Sequence, residues 1–374
     1  MASDIEVLII GAGVIGLALG EKITEKGKQV AIVEKNFKYG LETSSRNSEV
    51  IHSGIHYPKN SLKAKLCVEG NYLLYKVAEK NNLTYKKTGK ITVATTKQEI
   101  SLIEKLYLQG KENGVKDIYI IDKKKIEEIE PDINAEVGLV TPTSGIINVH
   151  QLMDYLANKF KDQGGFLATG EKVIGIEKLT TGYKVISKSS EGINKYKTDI
   201  VINCAGLWSD EISKMLKIKY KLYWAKGDYF SLPLKFSVSS LIYPVPTKTS
   251  LGIHLTPKIG GGYRIGPDIE YVEKKEKPYP IAKEISDFKV DEGKKEKFYY
   301  DVVKYLPNLK IEDMQPEMYG IRPKLQGEKD LFKDFIIKDE RENSCPSFIN
   351  LIGIESPGLT SCLSIAEYVV KKFL

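Results

Sequence analysis

Cysteine is scarce in this sequence: Cys67, Cys204, Cys345 and Cys362 are the only four among 374 residues. None forms a Cys-x-x-Cys pair, and their separations suit neither a zinc site nor a disulfide framework, so no metal centre is expected. They read as small buried thiols in a reducing compartment. No apolar run approaches the roughly 20 residues of a membrane span. The first apolar strand begins within a few residues of Met1, so the reading expects no signal peptide and a cytoplasmic protein. Internal repeats and low-complexity tracts are absent. Acidic excess is also lacking, since 56 Lys and Arg face 49 Asp and Glu for a net charge of +7. Scattered Lys/Glu surface accounts for most of that balance. The field also suits anionic small molecules or peripheral contact with the inner face of an anionic membrane. No RNA-recognition motif or aromatic–basic interleaving occurs, so no nucleic-acid partner is expected.

What remains is an ordinary globular composition, 42% hydrophobic and 28% charged, long enough for a large core and about two domains. The organising stretch runs from Asp4 to Lys35. Ile5 to Ile10 is an apolar run of strand length. Gly11, Gly13 and Gly16 follow in the spacing G-x-G-x-x-G, and apolar residues then recur at helical spacing from Val14 to Lys26. Gly27 ends that helix, Val30 to Val33 is a second strand, and Glu34 stands eighteen residues past the third glycine. In such a βαβ unit the first glycine allows the tight turn and the second admits a pyrophosphate. The third lets helix and strand pack closely, and the acid accepts hydrogen bonds from a ribose hydroxyl. Unpaired N–H groups at the helix start complete a dinucleotide site.

Further along, Gly40 to Ser48 is a polar turn-forming stretch leading into Val50-Ile-His-Ser-Gly-Ile-His-Tyr57, which holds two of the four histidines. Leu62 to Asn81, Lys97 to Asn113, Lys123 to Pro131 and Val149 to Gln163 read as helices. Glu171–Leu179, Gly182–Ser187 and Gly192–Tyr196 read as a meander of three strands. Ile200 to Asn203 reads as a separate buried strand followed by Cys204-Ala-Gly206, with Ser209 or Asp210 as a helix cap. Tyr220 to Gly266 suggests a large antiparallel sheet, and Gly293 to Lys297 a solvated helix face.

The chain ends as it began. Phe348 to Gly353 is a strand, Ser356-Pro-Gly-Leu-Thr-Ser361 a turn, and Leu363 to Phe373 a helix. A second helix N-terminus is thus aimed at whatever the first one holds. NAD gives that return no purpose. A flavin does, because a helix dipole stabilises negative charge at the N1/O2 side of a reduced isoalloxazine ring.

The fingerprint with Glu34, Asn203-Cys-Ala-Gly206 and Gly353…Pro357-Gly-Leu-Thr360 resemble the FAD-dependent D-amino-acid-oxidase-like superfamily over nearly the whole chain. Within it, the resemblance is closest to the L-2-hydroxyglutarate dehydrogenase/oxidase family. It is carried by Asn47-Ser48, Val50-Ile-His-Ser-Gly54, Ser61-Leu-Lys-Ala-Lys-Leu-Cys67, Gly227-Asp-Tyr229, Ile242-Tyr-Pro-Val-Pro246, Gly252-Ile-His-Leu-Thr256 and Gly266-Pro267. His56 stands where that family usually has an aromatic residue. Ser356-Pro-Gly-Leu-Thr-Ser361 stands where it tends to have Ser-Pro-Ala-Ala-Thr-Ser, a version closer to glycerol-3-phosphate or amino-acid-type relatives.

The resemblance implies an α/β protein in which a Rossmann-like FAD-binding domain is interleaved with a mixed, largely antiparallel-sheet α+β substrate domain. The FAD-binding domain takes residues 1–83, 145–215 and 332–374, and the substrate domain 84–144 and 216–331. It implies hydride removal from the CH–OH carbon of an L-2-hydroxy acid, L-2-hydroxyglutarate preferred, to flavin N5. Glycerol-3-phosphate, amino-acid or N-methyl-amine oxidation on the same scaffold is the alternative. A non-catalytic nucleotide-binding module or an NAD-dependent dehydrogenase lies further off.

The expected FAD contacts are Gly11, Gly13, Val14, Ile15, Gly16, Glu34, Lys35, Thr43, Ser44, Arg46, Asn47, Ser48, Val173, Ala205, Gly206, Trp208, Pro357, Gly358, Leu359 and Thr360. His52, and secondly His254, are the candidate bases for the substrate hydroxyl proton. His52 is also where superfamily members with a covalent flavin would attach it. Arg322 is the candidate carboxylate clamp. His56, Tyr57, Tyr243 and Arg264 are further substrate contacts. The electron acceptor (oxygen, a quinone or a redox protein) and the oligomeric state are left open.

Overall fold

The computed structural model describes residues 5–246, 252–280 and 288–374. Residues 247–251, within the predicted antiparallel stretch, lie outside the described residues. The apolar run Ile5–Ile10 is the central strand of an eight-stranded sheet, parallel to Val30–Glu34 on one side and to Ile193–Asn203 on the other. Phe166–Thr169 extends the sheet beyond Val30–Glu34, and Cys345–Ile352 lies parallel to Ile193–Asn203. Past Glu6 the strand is continuously apolar, from Val7 to Ile10, because both its faces are covered there. Val7 and Ile9 pack in a core with helices Val14–Thr24, Leu62–Lys80, Val149–Asp162 and Gly358–Phe373. Leu8 and Ile10 face the opposite side, against Val173, Ile176, Tyr183 and Val185 of the strands Lys172–Lys178 and Tyr183–Lys188.

Those two strands form the meander, but its third strand differs from the sequence reading. Gly192–Tyr196 and Ile200–Asn203 belong to one continuous strand, Ile193–Asn203. Its first half pairs antiparallel with Tyr183–Lys188, and its second half pairs parallel with Ile5–Ile10. The polar Lys195–Asp199 interval hid this continuity from the pattern.

A second, nine-stranded sheet is built around Tyr223–Leu232, paired with Gln315–Lys324, Glu270–Val272 and Tyr263–Ile265. It continues through Leu255–Pro257, Leu241–Pro244, Lys90–Ala94 and Val137–Val140 to Tyr119–Asp122. All its pairings are antiparallel except Leu241–Pro244 with Lys90–Ala94. Its core holds Phe230, Ile242, Ile265, Phe298 and Leu306. A small third sheet, Val50–Ile51, Gly145–Ile147 and Tyr85–Lys86, draws on segments expected in both domains.

Two local expectations are corrected. Neither Ser209 nor Asp210 caps helix Ser209–Lys214: its N-cap is Trp208, with no side-chain cap bond. Asp210 instead pairs with Lys274 and accepts from the backbone N–H of Leu222. The Gly293–Lys297 run is not wholly solvated, because Lys294 turns inward to Asp228, Asp268 and Glu270.

Candidate active site

The two sheets enclose a cavity of about 1050 Å³, at the upper end of small-molecule sites and roomy enough for a dinucleotide with substrate beside it. Its first wall is the fingerprint. Gly11 sits at φ +100°, where a Cβ would also stand 2.7 Å from the carbonyl oxygen of Cys204. A Cβ on Gly16 would stand 2.0 Å from the carbonyl oxygen of Gly11, so the helix can lie on its strand only with glycine there. Gly16 is therefore a packing residue behind the cavity wall formed by Gly11, Gly13, Val14 and Ile15.

Helix Val14–Thr24 starts at Gly13 with no side-chain cap and no acidic residue in its first turn. Its positive end is thus left for an external anion. Ser44 Oγ accepts from the Val14 N–H at 3.0 Å and ties loop 43–45 to the same spot. Glu34 is buried. Its Oε2 accepts from Ala12 N–H and its Oε1 from Asn36 N–H, both at 2.8 Å. Burial pushes its pKa up while the two N–H groups pull it down. Each oxygen keeps a further lone pair for a ribose hydroxyl.

Lys35, Thr43, Arg46, Asn47, Ser48, Val173, Ala205, Gly206 and Trp208 line the same cavity. Lys35 Nζ pairs with Glu42 at 2.6 Å and lies 4.2 Å from the Trp208 ring centroid. The second helix begins at Gly358, five residues before the expected Leu363, so the turn Pro357-Gly-Leu359 is itself the helix start and faces the cavity. Two helix N-termini whose own N-cap residues make no side-chain cap, more than 340 residues apart in the chain, thus border one space. Thr360 stands just behind: its Oγ1 accepts from His52 N–H at 3.0 Å and donates to Val50 carbonyl. These groups fit a flavin dinucleotide: a glycine-turn helix end for the phosphates, a buried acid for the ribose, and a second helix end for the ring.

His52, Tyr229, Tyr243, His254 and Arg322 line the same cavity. The His52 backbone carbonyl is pinned by Asn71 Nδ2 at 2.9 Å, and its Nε2 lies 3.4 Å from Ser356 Oγ, which in turn lies 3.3 Å from Tyr57 OH. Burial, aided by the nearby Lys90 charge, lowers the His52 pKa to about 3, so the imidazole is neutral. The His254 ring stacks on Tyr243 with centroids 3.5 Å apart.

Arg322 lies on strand Gln315–Lys324, where Gly227 of the paired strand makes room for its guanidinium and Gly320 lets the Arg46 backbone approach. A Cβ on Gly320 would stand 2.2 Å from Arg46 carbonyl, and one on Gly227 3.0 Å from Arg322 Nη2. The guanidinium donates to two backbone carbonyls, Asp268 at 2.6 Å and Ala225 at 3.5 Å. Among the described residues no carboxylate pairs with it.

Three expected substrate contacts are placed elsewhere. Arg264 is held bidentately by Glu317, at 3.0 and 2.8 Å, and by Asn47 carbonyl, so its donors do not reach the cavity. Tyr57 is buried one layer back, with its hydroxyl on Ser356. His56 is also behind the wall, against Lys90. Ser356, Glu355 and Asp268 were not singled out from the sequence, because short polar residues in turns carry no periodic signal. Glu355 lines the cavity between Lys63 and Lys324, each 2.9 Å away. Lys90, read as part of a strand, is buried, and a charged residue inside a run as apolar as Ile-Thr-Val-Ala was the available clue.

The family model for FAD dependent oxidoreductases matches residues 6–372. The chain is 34% identical to the mitochondrial L-2-hydroxyglutarate dehydrogenase of Arabidopsis thaliana, over 99% of this chain and 83% of that protein. It is 32% identical to the glycerol 3-phosphate dehydrogenase of Caloramator mitchellensis, over 98% of this chain and 73% of the other. The fold is shared with the FAD-bound L-alpha-glycerophosphate oxidase of Mycoplasma pneumoniae, with a TM-score of 0.86 at 24% identity, covering 98% of this chain and 94% of that one. With two helix ends, a buried acid and a neutral imidazole around one cavity, and the family model matched over residues 6–372, the chain belongs to the FAD-dependent oxidoreductase family.

Proposed function

We propose that this oxidoreductase removes a hydride from the CH–OH carbon of an L-2-hydroxy acid, and that L-2-hydroxyglutarate is its preferred substrate. The observation that carries the reading is Arg322. It is a planar cation at the cavity wall, fixed by backbone carbonyls, with no carboxylate of its own among the described residues. Such a fork binds a carboxylate bidentately. Similarity to L-2-hydroxyglutarate dehydrogenases over nearly the full chain supports the same substrate class.

In this reading Arg322 orients the carboxylate and His52 receives the hydroxyl proton at Nε2, where neutral imidazole has a lone pair. Ser356 Oγ positions that ring, and Tyr243 with the stacked His254 closes the floor against water. His254 is the second candidate for the proton. Bound FAD supplies the two-electron acceptor. We also propose the two-domain division given above. Every strand of the eight-stranded sheet falls in 1–83, 145–215 or 332–374, and every strand of the nine-stranded sheet in 84–144 or 216–331. No helix among the described residues is long and apolar enough to cross a membrane. The cytoplasm is the proposed compartment, on the four buried free cysteines.

Glycerol 3-phosphate is the second reading, favoured by the 32% identity to a glycerol 3-phosphate dehydrogenase. Both molecules offer a CH–OH carbon near an anion. An anaerobic panel of L-2-hydroxyglutarate, D-2-hydroxyglutarate, L-lactate and glycerol 3-phosphate separates them by the rate of flavin reduction. Fastest reduction by L-2-hydroxyglutarate is expected, and fastest reduction by glycerol 3-phosphate moves the assignment.

A further inference from the structure

Lys90 is a buried ammonium with no ionic partner among the described residues. Its Nζ has one hydrogen-bonding contact, His56 Nε2 at 3.0 Å, and lies 4.8 Å from the ring centroid of Tyr243. Tyr243 is a wall of the cavity and carries the His254 ring on its π-system. One aromatic ring therefore separates this charge from the substrate space.

The titratable groups around it are His52, His56 and Tyr57 from the loop after Val50–Ile51, Cys67 from helix Leu62–Lys80, Tyr243 from its neighbouring strand, and His254. Burial and the Lys90 charge keep both imidazoles of the loop neutral, and burial pushes the Tyr57 hydroxyl and the Cys67 thiol up. None of these groups supplies a negative charge near neutral pH. Glu355, the acid closest to Tyr57 in its influence, is already engaged by Lys63 and Lys324. A buried charge left uncompensated is costly, and structural lysines are kept buried by pairing.

We infer that Lys90 is the buried countercharge of the substrate site, an ammonium compensated when an anion occupies the cavity on the far side of Tyr243. The inference rests on the anionic-substrate reading above and deepens it. Burial lowers the Lys90 pKa to about 7. An anion in the cavity stabilises the charged form and raises that pKa. Below pH 7 the ammonium is already in place and binding is at full strength. Above pH 7 binding must take up a proton, so affinity falls as pH rises, by up to roughly tenfold per pH unit.

The test uses the FAD-loaded enzyme and glutarate, a five-carbon dicarboxylate with no hydroxyl to oxidise, followed by perturbation of the flavin spectrum between pH 6.5 and 9. Sulfate, whose charge is constant over that range, is the parallel probe. For the wild type, Kd should be flat to pH 7 and then rise, and calorimetry at pH 8 in two buffers of different ionisation enthalpy should show proton uptake. Lys90→Met should bind more weakly at pH 6.5 and lose the pH dependence. Lys90→Arg, charged throughout, should keep tight binding to pH 9. Should Lys90→Met fail to fold, wild-type proton uptake and Lys90→Arg decide the matter. Binding of either anion with no proton uptake, or a Lys90→Met enzyme that keeps the wild-type pH profile, overturns the role of Lys90 alone. A wild type that takes neither anion at any pH overturns the anionic-substrate reading itself.

Discussion

Gly227 and Arg322 are diagonal neighbours on two paired strands, where Gly227 stands opposite Gly320 and Arg322 opposite Ala225, and a Cβ on Gly227 would stand 3.0 Å from Arg322 Nη2 and 2.7 Å from the Asp268 carbonyl that holds it. The hydrogen-bonded place of the guanidinium therefore depends on a side chain that is missing from its neighbour. Gly227→Ala should move the guanidinium off that carbonyl, raising KM for the hydroxy acid while flavin content stays near one per chain. The overpacking should cost about 1–3 kcal/mol of stability, read by urea denaturation. Unchanged KM in a folded variant would show that Arg322 does not bind substrate.

Arg322→Met removes the charge outright. A charge-assisted hydrogen bond is worth about 1.5–3 kcal/mol, so kcat/KM should fall roughly 10- to 150-fold, chiefly through KM. Arg322→Lys should recover little, because a lysine lacks the planar fork. Steady-state kinetics with L-2-hydroxyglutarate checks both variants.

His52→Asn should retain FAD, since the backbone N–H that meets Thr360 survives the change. Loss of a general base costs about 10²–10⁴ in rate, so stopped-flow flavin reduction should slow by that range. With its pKa held near 3, His52 itself gives no ionisation between pH 5 and 8. Reduction at the wild-type rate would pass the proton-accepting role to His254.

Glu355 carries the acid-stability prediction. Burial pushes its pKa up, but Lys63 and Lys324 outweigh burial and hold it at about 2. A carboxyl depressed in the folded state contributes stability above its unfolded value of about 4.3, and the contribution fades as pH falls toward 2. Glu355→Gln should therefore be less stable than wild type at pH 7 and should lose less on acidification below pH 4. Parallel acid-unfolding curves for the two proteins would contradict the coupling.

Much of this was legible in residue order. The fingerprint, Glu34 and the closing strand–turn–helix are local patterns whose chemistry depends on spacing, and local spacing survives folding. The same is true of Arg322 and His52, which sit beside glycines and apolar residues that announce a strand or a tight loop. The misplaced residues depend on partners remote in the chain. Arg264 belongs to Glu317, 53 residues away, and Lys294 turns in toward Asp228, 66 residues away. Lys90 meets His56 across 34 residues, from a strand that pairs parallel with the one carrying Tyr243. In a chain this rich in lysine, a single buried one looks like the solvated rest. The joining of meander and central strand was hidden by a polar interval, because periodicity marks buried faces and not continuity.

In the proposed function two helix ends hold a flavin over a cavity that oxidises an anionic hydroxy acid. Anaerobic addition of L-2-hydroxyglutarate to the gently purified protein, followed by absorbance, tests it most directly. The protein should be yellow, and its flavin band should bleach on mixing, faster than with any other member of the substrate panel. A colourless protein that takes up no FAD, or a yellow one that L-2-hydroxyglutarate leaves unbleached, would contradict it.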